Sequence, residues 1–129
     1  RILRKPAWAA LIWNERVSEG SAFAQGYEQL LHDFGTDYTQ VRSRHADRAL
    51  IQTFFGGAPL HERSYSHALM LDQAALGALV ASASYMPQPG APHYEAMIDR
   101  LQQLFARTQT QGQVRVDYVA RVFAGEIQC

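Results

Sequence analysis

Apolar residues in this chain fall into two kinds of pattern, unbroken runs and helical or alternating periodicities. From Ala7 to Trp13 the run is continuous, bounded by Pro6 and the polar Asn14. Continuous rather than alternating hydrophobicity predicts a strand covered on both faces, as in a parallel α/β sheet. Ser21 then serves as a helix N-cap, followed by Phe23, Tyr27, Leu30, Leu31 and Phe34 at helical spacing, with Gly35 as the stop. The polar stretch TDYTQVRSRH reads as a connection into a short helix over 46–55, carried by Leu50, Ile51, Phe54 and Phe55 and ended by Gly56-Gly57. HERSYSHALML alternates, which predicts a strand with Tyr65, His67, Leu69 and Leu71 on one side. Asp72 caps a further helix, QAALGALVASAS, closed off by Pro87, and MPQPGAP forms a rigid connector. Met97, Ile98, Leu101, Leu104 and Phe105 make the apolar stripe of a helix over 93–107. TQTQGQ turns the chain into a last strand over 114–124, rich in β-branched and aromatic residues. The predicted order is β-α-α-β-α-α-β, with no internal repeat.

Composition narrows the class. A chain of 129 residues is one domain or a piece of one, and 47% hydrophobic with 11% aromatic residues suffices for a packed core. Twelve Lys+Arg balance twelve Asp+Glu, so the basic excess of a nucleic-acid binder is missing and no nucleic-acid partner is expected. No apolar stretch approaches the roughly 20 residues of a membrane-spanning helix, and no secretory signal is recognisable, so no membrane partner is expected. The one cysteine, Cys129, stands at the end, which rules out an internal disulfide or a thiolate cluster and suggests a reducing, cytoplasmic setting. The chain begins with Arg1 rather than Met, which reads as a fragment or a processed product.

The stretches RILRKPAWAALIWNER, YSHALMLDQAALGALVASASYMP, PGAPHYEAMIDRLQQLFART and VRVDYVARVFAGEI, in this order, resemble a known family. It is the C-terminal half of class I S-adenosylmethionine-dependent methyltransferases, in the small-molecule group described as methyltransferase type 11. In that group a late strand follows a Pro-Gly-Gly turn and ends in a Trp-Asn-x-Arg-like sequence; here the strand ends Trp13-Asn14-Glu15-Arg16, while its entry reads Lys5-Pro6-Ala7. The resemblance implies an α/β fold: a partial Rossmann-like methyltransferase sheet of about three strands, the last strands antiparallel, with four helices, all in one domain over 1–129. Residues 7–13 would be an interior strand with the last strand slotted beside them. The family's Gly-rich loop and acidic ribose-binding residue have no counterpart here; they belong to its N-terminal half. The implied function is the substrate-shaping portion of an enzyme that methylates a small molecule. S-adenosylmethionine is the cofactor of the complete enzyme, and none is expected to bind this chain alone. The alternative is a non-enzymatic α/β module that binds a ligand or dimerises. Either way, an unpaired apolar edge at 7–13 predicts a homo-oligomer.

Candidate site residues follow from position. Asn14, Glu15 and Arg16 fall at the carboxyl end of the first strand, the edge where open α/β sheets bind ligands. Arg16 can pair with a carboxylate and Asn14 can supply hydrogen bonds, although polar residues that cap a strand end would look the same. Tyr65 and His67 share a strand face and either line a cavity or form an ordinary hydrogen-bonded pair. Asn14, Arg16, Tyr65 and His67 are the expected substrate contacts. Arg42, Arg44 and Arg48 form the one basic cluster, either an anion site or a solvated linker. Glu95 and Asp99 lie on one helix face beside Arg100 and read as solvated. The five histidines show no metal-ligating spacing, no serine sits in GxSxG, and no catalytic residue is assigned.

Overall fold

The computed structural model describes residues 4–45 and 47–127; the side chains of Arg44 and His45 are not described, and Arg1, Cys129 and Ala46, the first residue of the helix expected over 46–55, lie outside the described residues. The fold is mixed α/β. Its elements are β1 (Trp8–Arg16), α1 (Ala22–Phe34), α2 (Tyr38–His45), α3 (Arg48–Phe54), β2 (His61–Leu71), α4 (Gln73–Ala81), α5 (Tyr94–Thr108) and β3 (Val114–Glu126). The three strands form one open sheet in the order β1-β3-β2. The last strand therefore lies in the middle, antiparallel to both neighbours, and β1 and β2 run in the same direction without touching.

Four sequence expectations need correction. The sheet is not parallel, because every hydrogen-bonded pair in it is antiparallel. β1 is not buried on both faces. It is an edge strand whose residues alternate between exposed and half-buried, with Trp8 55% and Ile12 68% exposed. A continuous apolar run cannot report this, since it looks the same whether both faces are covered or one is bare. β1 also continues through Asn14, Glu15 and Arg16, which pair with Ala120, Val119 and Tyr118 instead of following the strand. Finally, there are five helices among the described residues instead of four, because the expected connection at 36–45 contains α2.

Other expectations hold. Ser21 accepts from the Ala24 amide and Asp72 from the Ala75 amide, each quenching an orphan donor at a helix start. Asp47 does the same for Ala49 and Leu50 at α3. Gly56 and Gly57, at φ +66° and +80°, adopt the left-handed backbone that lets the chain turn out of α3. The last strand lies beside β1, as expected, with Tyr118–Glu126 paired to Trp8–Arg16.

Two clusters hold the sheet from opposite sides. Side chains alternate along a strand, and residues opposite each other in the register share a face. One face carries Val114, Val116 and Tyr118 of β3 with Leu71 of β2, and α1, α4 and α5 pack on it through Leu30, Leu31, Leu76, Val80, Met97 and Leu101. α5 comes so close to α1 that a Cβ at Gly26 would lie 2.5 Å from a Leu104 methyl. The other face carries Ala9, Leu11, Trp13 and Phe123, covered by Ile51 and Phe55 at α3; Trp13 and Phe123 stack at 5.2 Å. Among the described residues nothing covers the half of the first face that lies beyond the helices: Trp8, Ile12 and Tyr65, the last 59% exposed, stand there.

Candidate functional site

β1 ends where α1 and α2 meet the first face, and its last turns of side chains decide what that corner can do. Arg16 points onto this face and lies over the Tyr27 ring, with its guanidinium carbon 4.8 Å from the ring centroid. Its Nη2 donates to the Tyr38 hydroxyl at 2.8 Å and to Glu28 Oε2. Tyr38 in turn donates to the same Glu28 oxygen at 2.9 Å. Arg42 pairs with the other Glu28 oxygen and donates through Nη2 to Ser18 Oγ at 2.9 Å. His32 Nε2 stands 3.3 Å from Glu28 as well. One carboxylate from α1 thus gathers a strand residue and two residues of α2.

The arrangement explains why α2 exists although its sequence is polar. A helix without an apolar stripe gains little from burial. Tyr38 and Arg42, four residues apart, share a helix face, and both are bound to Glu28. Arg16 and Glu28 are only 13% and 14% exposed, so the pair is screened poorly from each other and well from water. Arg16 Nη1 is buried without a hydrogen-bond acceptor among the described residues. The electron-rich Tyr27 face beside the guanidinium offsets part of that cost.

Around this corner lies a pocket of about 410 Å³, lined by Asn14, Glu15, Arg16, Tyr38, Val41, Arg42 and Tyr85. Tyr85 packs against Tyr38 with ring centroids 5.3 Å apart. Burial pushes the phenols of Tyr38, Tyr85 and Tyr118 above their ordinary range, and the nearby Arg16 charge partly opposes this. All three are therefore neutral hydrogen-bond donors near pH 7. Glu15 is turned to the opposite face, where it accepts from Arg121 Nε at 2.8 Å; that bond and the charge behind it raise the Arg121 pKa further.

The four residues expected from sequence share one sheet face but not one function in it. Asn14 lies directly across β3 from Tyr65, each facing Ala120. His67 stacks on Tyr118 at 5.4 Å, and its Nε2 lies 3.1 Å from Asn14 Oδ1, so β1 and β2 are tied together over the central strand. Asn14 and Arg16 line the pocket; Tyr65 and His67 stand beside it on the open part of the face. Of the basic cluster, Arg42 joins the pocket while Arg48 pairs with Glu62 at 2.6 Å, away from it.

Glu28, Tyr38 and Tyr85 went unnoticed in the sequence. Glu28 borders the buried stripe of α1, which is the only hint it offers. Tyr38 sat in a stretch read as a connection, and Tyr85 fell between the expected helix, which ends at Ser84, and the connector that starts at Met86. Among the described residues no group of His, Cys, Asp and Glu is placed to hold a metal ion, and no helix is long and apolar enough to cross a membrane. Chemically, the corner can bind and orient a small molecule through donors and aromatic walls. No protein-family model matches this sequence, and no curated protein matches it significantly.

Proposed function

We propose that this chain is the C-terminal, substrate-shaping portion of a class I S-adenosylmethionine-dependent methyltransferase that acts on a small molecule. The observation that carries this reading is the topology. The last strand lies between two strands that run in a common direction, with Tyr118–Glu126 against the whole of β1; the family resemblance implies a last strand beside β1. The polar end of β1 opens into a pocket of a size suited to a small molecule. The bare edge of β1, with Trp8 and Ile12 beside it, is where further strands of a larger sheet would add.

In this reading the chain contributes position. Methyl transfer needs the acceptor atom held in line with the methyl group, and rigid placement of the acceptor supplies much of the rate. Asn14 and the walls contributed by Tyr38 and Tyr85 orient the acceptor, and Arg16 and Glu28 keep those walls in place. None of this chain's residues is assigned to the cofactor. S-adenosylmethionine titrated calorimetrically into the product of the complete reading frame should bind saturably, while these 129 residues alone should give no binding heat. A complete product that does not bind it, or micromolar binding to these residues alone, overturns the reading.

A further inference from the structure

The hydrogen-bonding capacity of the pocket is lopsided. Its carboxylate, Glu15, is engaged with Arg121 on the other face, and Glu28 behind the wall is engaged by Arg16, Tyr38 and Arg42. The donors are not used up in the same way. With Asn14 Oδ1 facing His67 Nε2, the Asn14 amide group has no protein acceptor among the described residues. A guanidinium carries five N–H groups, and Arg42 uses only part of its set on Glu28 and Ser18, at 47% side-chain exposure. The Tyr85 hydroxyl likewise has no acceptor among the described residues, although the residue is only half-buried. A pocket with free donors and committed acceptors suits a ligand rich in acceptors.

Charge points the same way. Arg16 and Arg42 contribute two positive charges against the single negative charge of Glu28, and Glu15 with Arg121 forms a neutral pair. The corner thus has one positive charge in excess. That excess lies partly behind a wall of buried side chains, where it is screened less than at an open surface.

We infer that this pocket binds the carboxylate of a monoanionic small molecule carrying an aromatic or apolar body. Arg42, the Asn14 amide and the Tyr85 hydroxyl contact the carboxylate, and Tyr38, Val41 and the Tyr85 ring face the body. Arg16 is a positioning residue, since its Nη1 is closed off from solvent. A monoanion matches the excess of one charge, whereas a phosphate dianion exceeds it. That this carboxylate belongs to the methyl acceptor rests on the methyltransferase reading; the binding itself does not.

The test uses the 129-residue chain without cofactor, so it is independent of methyl transfer. Benzoate titrated into the ¹⁵N-labelled protein should saturate shifts of the Asn14, Arg42 and Tyr85 amides, with a roughly millimolar Kd. Benzamide, with the same ring but no charge, should bind about tenfold more weakly or not at all. Arg42→Gln should lose about tenfold in benzoate affinity, and Arg42→Lys should recover part of it. Because Arg42 also steadies α2, Tyr85→Phe provides a second variant that keeps the ring and removes only the hydroxyl; it should weaken benzoate about threefold. Equal binding of benzamide, saturable shifts elsewhere only, or tighter binding of methyl phosphate than of benzoate overturns the assignment.

Discussion

Glu28 illustrates how a single side chain can define a site. Two guanidinium groups and a phenol converge on its carboxylate, and removing that charge leaves Arg16 buried with no anion beside it. Deleting one partner of a buried pair costs more than the pair contributes, because the remaining charge is stranded. Glu28→Gln should therefore lower stability by about 3 kcal/mol in urea denaturation, whereas a loss below about 1 kcal/mol would mean water reaches the pair freely. The tyrosines make a second prediction. Burial holds Tyr27 well above its ordinary value of 10.0, against the opposing pull of Arg16, and raises Tyr38, Tyr85 and Tyr118 too. Above about pH 10 the unfolded chain releases these protons while the folded chain keeps them, so stability is intact below that pH and falls as pH rises further. The denaturation midpoint should drop between pH 8 and pH 11, and Tyr27→Phe should flatten the drop. An unchanged pH slope in that variant would show that Tyr27 is not the main source. Asn14 and Arg16 were legible in the sequence because polar residues ending an apolar strand stand out. Their partners were not, because Glu28 and Tyr38 come near them only through the packing of α1 and α2.

At the scale of elements, caps and apolar periodicity carried most of the information. α1 and α5 each have a clear stripe and were placed to within a residue or two. α2 was read as a connection because it has no stripe, and its order depends on Tyr38 and Arg42 reaching across to another helix. Its amides should exchange with solvent much faster than those of α1, and hydrogen exchange measured by mass spectrometry checks this. α3 depends on one ring. Phe55, fully buried where α3 ends, packs with Ile51 and Phe123, whereas Phe54 beside it is half-exposed. Phe55→Ala should cost about 3–4 kcal/mol and Phe54→Ala less than about 1 kcal/mol. Similar losses from both would mean that α3 is not seated on the sheet as described.

For the whole molecule, the governing feature is an open sheet with helices over one end of its first face and α3 over part of the second. Trp8, Ile12 and Tyr65 leave an apolar area next to a strand edge that is unpaired among the described residues, and such surfaces associate. In the reading proposed here the rest of the methyltransferase sheet occupies that edge, so the chain on its own should self-associate there. Light scattering should show mass rising with concentration, and Ile12→Lys should shift it toward the monomer. A clean monomer at high concentration would show that the edge protects itself.

The sequence alone determined the positions of the strands and of every helix but α2, the caps Ser21 and Asp72, and that the fold mixes α and β, because these follow from local periodicity and from backbone donors that must be satisfied nearby. It also singled out Asn14 and Arg16, which line a pocket at the end of β1. Only the tertiary structure decided that β1 is an edge, that the last strand runs between the other two, and that one glutamate joins Arg16 to Arg42. Those outcomes depend on which surfaces meet across the chain, and the hydrophobic pattern of a segment is the same whatever covers it.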